Sequence, residues 1–259
     1  MRAFLVLFLL LTCSFPAWAE DIAVAQPTTE PANYVEVINK VVDLFAFRYS
    51  DNKGVTNYAE VFNALGSLAG FACQMSIREG YIKPGLMESD RTFIIQQTKD
   101  GSKYFFSDFL NDQLVGNKKI KTSVWSLVAG AAQQAGAKEL PDVQDIADYN
   151  FKTLGTADFG VPRVPKKYQA KDLPIDIIKR NWTPMFQILT DNQVDPKFWG
   201  WVFALAARDL ILKEKDSFDP EMAARIVMEA AMPMSKIDPA LILGGSEMRG
   251  THRYSPFTE

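Results

Sequence analysis

Histidine and cysteine are almost absent from this chain. Its 259 residues include one histidine, His252, and two cysteines, Cys13 and Cys73. Zinc sites usually use several histidine or cysteine ligands, and serine or cysteine nucleophiles usually need an imidazole held nearby as a base. His252 stands near the C-terminus beside a glycine and a threonine, where no rigid arrangement is expected. The sequence therefore predicts no metal site, no cofactor site and no catalytic residues.

Motifs for binding phosphate, calcium and nucleic acid are missing as well. The chain contains neither a P-loop nor the glycine fingerprint of dinucleotide-binding folds. The segment 51–60 superficially resembles a calcium loop, but Lys53 and Gly54 occupy positions that need oxygen ligands. Its 28 basic and 31 acidic residues give a net charge of −3, whereas nucleic-acid binding requires a basic surface. We therefore predict no nucleic-acid partner.

The N-terminus is typical of a secretory signal peptide. Arg2 provides a positive charge, residues 3–13 form an uncharged apolar run, and Pro16 follows that run. Alanines at positions 17 and 19 then give the A-x-A pattern of a cleavage site. We predict a signal peptide at residues 1–19, cleavage between Ala19 and Glu20, and a periplasmic or secreted protein.

Loss of the signal peptide leaves 240 residues with a single cysteine, Cys73, so the mature chain cannot form an internal disulfide. Its stability must come from a hydrophobic core. An alternative is a lipid anchor through Cys13, although Thr12 is a poor residue to precede such a site. No later apolar run reaches the roughly 20 residues of a membrane-spanning helix, so we predict no transmembrane segment in the mature chain.

Apolar residues recur at helical spacing over most of residues 33–243. This pattern predicts a single, mainly α-helical domain with an irregular arrangement of about seven to nine helices. Residues 20–32 contain two prolines and no periodicity, and we interpret them as a flexible leader. The strongest apolar stripe begins at Tyr58. Gly66 and Gly70 make this helix narrow, and we expect it to pack closely against the small residues at 129–132.

One segment has a β pattern. Residues 92–98 are rich in β-forming side chains, and Asp100-Gly101 is a dipeptide that tight hairpins favour. Residues 103–106 return with three aromatic side chains. We predict one hairpin near residues 92–107 with its aromatic face on the helices. After it, Thr122 is expected to cap a further helix that ends near residue 135.

Proline marks the predicted helix starts in the C-terminal third. A capping residue precedes a proline at Thr183, Asp195, Asp219 and Asp238, which is typical of the first turn of a helix. The resulting helices, with one more that opens at Pro174, are expected at about 174–181, 184–191, 196–214, 220–232 and 239–243. Residues 244–259 are predicted to be an extended C-terminal tail.

Several side chains could have a function or a purely structural role. Cys73 is expected to be a buried small hydrophobe. Arg78 is interpreted as a solvent-facing charge, and Asp108 and Asp112 as part of a solvated helix face. Trp201 is expected either to pack in the interior or to form a binding surface, with packing preferred.

Residues 155–171 are predicted to form a long loop that contains the basic cluster Arg163, Lys166 and Lys167. Loops of this length are often functional or mobile.

Three functions are compatible with these features. The first is an exported, non-enzymatic protein that binds a protein partner in the cell envelope, for example an inhibitor or immunity-type antidote. The second is a carboxylate-dependent hydrolase of cell-wall glycans, which would need two positioned acids. The third is an envelope structural or assembly factor. The sequence identifies neither the partner nor the oligomeric state.

Overall fold

The structure is a computed structural model that describes residues 33–119 and 121–247. Several sequence-based expectations fall outside the described residues. These are the signal peptide with its cleavage site at Ala19 and Glu20, the leader at 20–32, Cys13, His252 and most of the predicted tail.

The described residues contain ten α-helices and one two-stranded antiparallel sheet, which confirms the predicted class. A π-helical turn (Arg78–Ile82) and two 3-10 turns (Lys166–Tyr168 and Pro196–Phe198) complete the helical structure. The helices are α1 (Tyr34–Arg48), α2 (Tyr58–Ile77), α3 (Ser89–Thr92), α4 (Asp108–Val115), α5 (Val124–Gln134), α6 (Val143–Lys152), α7 (Pro174–Asp191), α8 (Trp199–Lys213), α9 (Pro220–Met234) and α10 (Ala240–Glu247). The strands are β1 (Ile94–Gln97) and β2 (Lys103–Phe106). The single turn α3 has no counterpart among the predicted elements. Within the described part of the chain, no helix has the length and apolarity needed to cross a membrane.

Helix α2 lies at the centre of the fold and contacts α1, α4, α7, α8 and α9. Its residues 59–77 are all buried, and Asn57 caps its first turn by accepting a hydrogen bond from the backbone N–H of Glu60. A helix that is buried on every side must be apolar or internally bonded around its whole circumference. The two serines of α2 follow this requirement, since the hydroxyls of Ser67 and Ser76 donate to the carbonyls of the preceding turn.

The two glycines of α2 face α9, and the expectation that they meet the small residues of α5 is wrong. A Cβ atom on Gly66 would lie 2.8 Å from Val227 Cα, and one on Gly70 would lie 2.7 Å from the carbonyl carbon of Ala231. Only glycine therefore allows the backbones of α2 and α9 to approach this closely. The residues of α5 pack instead against α8 and α9. The sequence shows that a helix has a narrow face but does not show which neighbour occupies it.

The hairpin covers the end of α2. Its register pairs Ile94 with Phe106 and Gln97 with Lys103, and Gly101 takes a positive φ of 87° in the turn. Strand β1 is shorter than the predicted 92–98, whereas β2 has the predicted bounds, and its aromatic side chains pack on the core as expected. All four residues of β1 are exposed, whereas two of the four in β2 are buried.

Helix α7 continues through Pro184, so the two separate helices predicted at 174–181 and 184–191 are one. Proline inside a helix removes a hydrogen bond and costs about 3 kcal/mol. The apolar face of α7 spans this point, with Trp182 and Met185 both buried. Packing on both sides of the proline keeps the helix continuous.

The cap of α5 is Ser123, one residue later than predicted. The Ser123 hydroxyl accepts from the backbone N–H of Ser126 at 3.1 Å, and the Ser126 hydroxyl accepts from the backbone N–H of Ser123 at 2.8 Å. Thr122 has a tryptophan three residues later, so it could not form this reciprocal arrangement.

Arg78 lies between two aromatic rings, and the expectation that it faces solvent is wrong. Its guanidinium carbon lies 4.7 Å from the ring centroid of Phe93 and 4.5 Å from that of Phe105. Burial lowers the pKa of this guanidinium to about 10, an effect that the charge of Asp238 partly offsets. The side chain thus joins the end of α2 to the hairpin through cation–π contacts.

The predicted loop at 155–171 is attached to the helices through its basic cluster. Arg163 Nη2 lies 2.9 Å from a carboxylate oxygen of Asp145 and 3.2 Å from one of Glu229. The Glu229 carboxylate is almost fully buried on α9, and burial raises its pKa despite the two nearby arginines. Arg163 therefore has a structural role, while the two lysines of the cluster are exposed.

Candidate ligand-binding cavity

A cavity of about 580 Å³ lies among α4, α5, α6, α9 and β2. We call it the Lys236 cavity. Most of its lining is apolar, including Leu114, Trp125, Phe151 and Met232. Small-molecule sites commonly have volumes of about 300–1,000 Å³, with apolar walls and a few polar groups that orient the ligand. Both the size and the lining of this cavity fit that description.

The Lys236 backbone is held in place directly after α9. Its N–H donates to the carbonyl of Pro233 at 3.0 Å, and its own carbonyl accepts from the N–H of Phe105 at 2.8 Å. The next residue, Ile237, accepts a hydrogen bond from the Gln74 side chain of α2 at 3.1 Å. The lysine is thereby anchored to the helix end, the hairpin and the central helix before its side chain reaches the cavity.

The ammonium group of Lys236 is buried without an acidic partner. The residue is 9 % exposed, and Nζ donates to Asn111 Oδ1 at 2.6 Å. The ring centroid of Phe106 lies 5.6 Å from Nζ. Within the described ranges, no carboxylate oxygen lies within 4.0 Å of this nitrogen. Burial lowers the pKa of the Lys236 ammonium from its ordinary value of 10.5 to about 8.

Cys73 lies behind this site on α2 and is fully buried, as expected from the sequence. A Cβ atom on Gly200 of α8 would lie 3.2 Å from Cys73 Cα, so the two helices are in close contact here. Burial raises the pKa of the Cys73 thiol to about 12. The thiol is therefore protonated at neutral pH and acts as a small apolar side chain.

Phe159 brings the loop at 155–171 to the wall of the cavity. Its ring packs edge-on against Tyr104, with 4.8 Å between centroids, and the Tyr104 hydroxyl accepts from the N–H of Gly155 at 3.1 Å. The loop therefore closes one side of the Lys236 cavity, which gives it a role in shaping the site.

The acidic residues near the cavity are few. Among the described lining residues Asp148 is the only acid, and it is exposed and accepts a hydrogen bond from Gln144 at 2.8 Å. Asp108 is exposed and Asp112 partly exposed on α4, in line with the expected solvated face. In the described part of the chain, no three histidine, cysteine or acidic side chains are grouped so that they could hold a metal ion.

Trp201 belongs to a smaller surface depression of about 250 Å³. Its ring packs against Phe198, with 5.3 Å between centroids, and Phe198 packs in turn on Tyr34. Trp201 is half-buried and packs on another aromatic ring, as the preferred expectation has it, and it also lines this depression. A binding role for Trp201 stays a prediction.

Lys236 did not stand out in the sequence. Lysine often follows the last turn of a helix, where it interacts favourably with the helix dipole. The one signal that could have identified Lys236 is the apolar sequence around it, since Met232, Met234 and Ile237 lie within four residues of it. The same signal is common at helix ends, so the sequence alone would not have separated this lysine from others.

No family model matches the chain, and it matches neither a curated protein nor a solved structure.

Proposed function

We propose that this protein is a non-enzymatic binding protein that holds a small, mainly apolar molecule in the Lys236 cavity. The observation that carries the proposal is a cavity of about 580 Å³ with a largely apolar lining and one buried ammonium group. Apolar walls provide binding free energy in proportion to the area removed from water, and a few polar groups provide orientation. The lining contains both kinds of group.

Partial filling of the cavity is expected to weaken ligand binding. Ala147 of α6 is half-buried and lines the cavity, so tryptophan at this position would occupy part of its volume. We expect the wild type to bind the neutral fluorescent probe N-phenyl-1-naphthylamine and Ala147→Trp to bind it at least about tenfold more weakly, which corresponds to about 1.4 kcal/mol. Fluorescence titration measures both affinities.

A matched control is Ala46→Trp, because Ala46 is also half-buried on a helix, α1, but does not line the cavity. This variant should bind the probe like the wild type, and far-UV circular dichroism should show that both variants are folded. The proposal fails if the wild type does not bind the probe, or if Ala147→Trp binds it with unchanged affinity.

We also propose that the protein acts outside the cytoplasm, since the signal-peptide pattern at residues 1–19 supports export. The mass of the mature protein tests this. A chain that begins at Glu20 supports release after cleavage, whereas a lipid-modified Cys13 supports an anchored form. A full-length chain that starts at Met1 and stays in the cytoplasm contradicts export.

A protein partner in the envelope is the second candidate, and the outer edge of β1 favours it. The N–H of Thr98 donates to the carbonyl of Ser102 at 2.9 Å, so these two residues form a hydrogen-bonded pair. Along two antiparallel strands, hydrogen-bonded pairs alternate with pairs that are not hydrogen-bonded to each other. By this alternation the backbone groups of Ile95 and Gln97 face away from β2. An exposed strand with unpaired backbone groups can accept an extended segment of another protein.

The variant Ile95→Pro tests this second candidate. Proline removes the outward-facing N–H of residue 95 and should leave the pairing with β2 in place. If a strand of a partner binds at this edge, the wild type should form a complex in envelope extract. We expect Ile95→Pro to lose this complex and Ile95→Ala to keep it. Size-exclusion chromatography measures both complexes. A complex that persists with Ile95→Pro argues against strand pairing.

The glycan hydrolase receives no support from this cavity. Such an enzyme places two carboxyl groups about 5–10 Å apart around the bond that it cleaves. Asp148 is the single acid among the described residues that line the Lys236 cavity. An envelope structural or assembly role also has no specific contact in its favour, so we propose neither.

A further inference from the structure

We infer that the molecule held in the Lys236 cavity carries one anionic group, a carboxylate, which pairs with the ammonium of Lys236. The inference rests on the proposed binding function and specifies the chemistry of its ligand. The ligand class is therefore an apolar chain or ring system with a single carboxylate, such as a medium-chain fatty acid.

Lys236 has a buried ammonium group with a single protein acceptor among the described residues. A buried charge is costly unless it is paired and hydrogen-bonded. Lys236 is nine-tenths buried, and its Nζ has one hydrogen-bond acceptor, Asn111 Oδ1, among the described residues. An ammonium group can donate three hydrogen bonds. The ammonium therefore has donors available for an anion that enters the cavity.

Asn111 is the polar neighbour of the Lys236 ammonium. Asn111 lines the same cavity, and its side-chain oxygen accepts from Lys236 at 2.6 Å. Its amide nitrogen then has two N–H donors of its own. Asn111 is an exposed residue. Among the described residues its side-chain nitrogen donates to no protein acceptor, so water or a ligand can accept a hydrogen bond from it. A carboxylate has two oxygens, so one can accept from Lys236 and the other from Asn111.

Negative charge is scarce among the described residues that line the cavity. Asp148, the one acid of the lining, is exposed and bonded to Gln144, and it forms no ion pair with Lys236. The acids therefore do not neutralise the lysine from within the site. The rest of the wall is largely apolar, with Leu114, Trp125 and Phe151 among its members, and this surface fits the hydrocarbon part of such a ligand.

Matched ligands of equal chain length test the inference without any variant. Dodecanoate and 1-dodecanol differ only in the head group, and each can displace N-phenyl-1-naphthylamine from the wild type. We expect dodecanoate to bind about ten- to a hundredfold more tightly than the alcohol, as charge-assisted hydrogen bonds do in buried sites. With Lys236→Met we expect that preference to disappear while 1-dodecanol binding is kept. Lys103→Met, which changes an exposed lysine, should retain the preference.

The outcomes separate the inference from the proposed function. If both ligands displace the probe from the wild type with equal affinity, the cavity binds apolar molecules without a preference for an anionic group. The inference of a carboxylate ligand is then wrong. If the preference for dodecanoate survives in Lys236→Met, the carboxylate pairs elsewhere and the inference is also wrong. If the probe and both ligands fail to bind the wild type, the proposed function itself fails.

Discussion

Replacement of Gly70 by alanine is expected to destabilise the protein by at least about 3 kcal/mol, a large part of the 5–15 kcal/mol that typically separates folded from unfolded states. The added Cβ would lie 2.7 Å from the carbonyl carbon and 2.8 Å from the Cα of Ala231, with the carbonyl oxygen nearer still. These are backbone atoms of α9, so no side-chain rotation relieves the clash. The two helices must move apart, and the core around them loses contacts along their length.

The matched control is Gly130→Ala on α5. Gly130 also lies inside a helix, but a Cβ atom there would meet no atom within 4 Å. Alanine is favoured over glycine in helices by about 1 kcal/mol, so this variant should be slightly more stable than the wild type. Urea denaturation followed by circular dichroism measures both free energies of unfolding. A loss below about 1 kcal/mol for Gly70→Ala would show that α2 and α9 are not in close contact.

Replacement of Lys236 by methionine is expected to raise the free energy of unfolding by about 2 kcal/mol at pH 7, even though it removes the proposed ligand contact. Burial lowers the pKa of this ammonium from 10.5 to about 8, and that difference corresponds to about 3 kcal/mol of destabilisation in the charged form. Loss of the hydrogen bond to Asn111 offsets about 1 kcal/mol of the gain. Methionine has a similar length and no charge, so it should fill the same space.

The stabilisation by Lys236→Met should depend on pH in a defined direction. Below about pH 8 the lysine is charged in both folded and unfolded states, and the folded state bears the full cost of the buried charge. Between about pH 8 and 10.5 the unfolded chain keeps a proton that the folded chain releases, so the wild type gains stability relative to the variant. The difference between the two proteins should therefore shrink as the pH rises through this window.

Denaturation of ligand-free wild type and Lys236→Met at several pH values measures this difference, and groups common to both proteins cancel. Lys103→Met, at an exposed position of β2, should change stability by less than about 0.5 kcal/mol at any pH. A variant that is less stable than the wild type at pH 7 would show that the ammonium is well solvated or paired. A more stable variant that no longer prefers anions would show that the wild type sacrifices stability for binding.

Much of the fold follows from local patterns that the chain itself carries. The apolar stripe that starts at Tyr58 predicts α2, and Asp100-Gly101 with the aromatic residues after it predicts the hairpin. The three expected aspartate caps in the C-terminal third are also formed, as at Asp219, whose side chain accepts from the N–H groups of residues 221 and 222. These features depend on neighbours within a few residues, so the sequence is sufficient to predict them.

The errors arose where a distant part of the chain decides the outcome. The sequence predicts the wrong neighbouring helix for Gly66 and Gly70. Any helix can approach a narrow helix face, and only the packed fold places α9 there. The Thr183-Pro184 pair predicts a helix start, yet the core contacts of Trp182 and Met185 keep one helix through Pro184. In both cases the free energy of long-range packing outweighs a local preference.

Composition and local pattern by themselves determined the helical class and the hairpin, and they are the basis of the proposal of export. The tertiary structure alone decided the candidate site, because Asn111, Phe151 and Lys236 belong to segments far apart in the chain and meet only after folding. The environment of Lys236 is the clearest case. A lysine in the sequence is an ordinary solvated charge, and it becomes an unpaired buried ammonium only because α4, α9 and the hairpin enclose it.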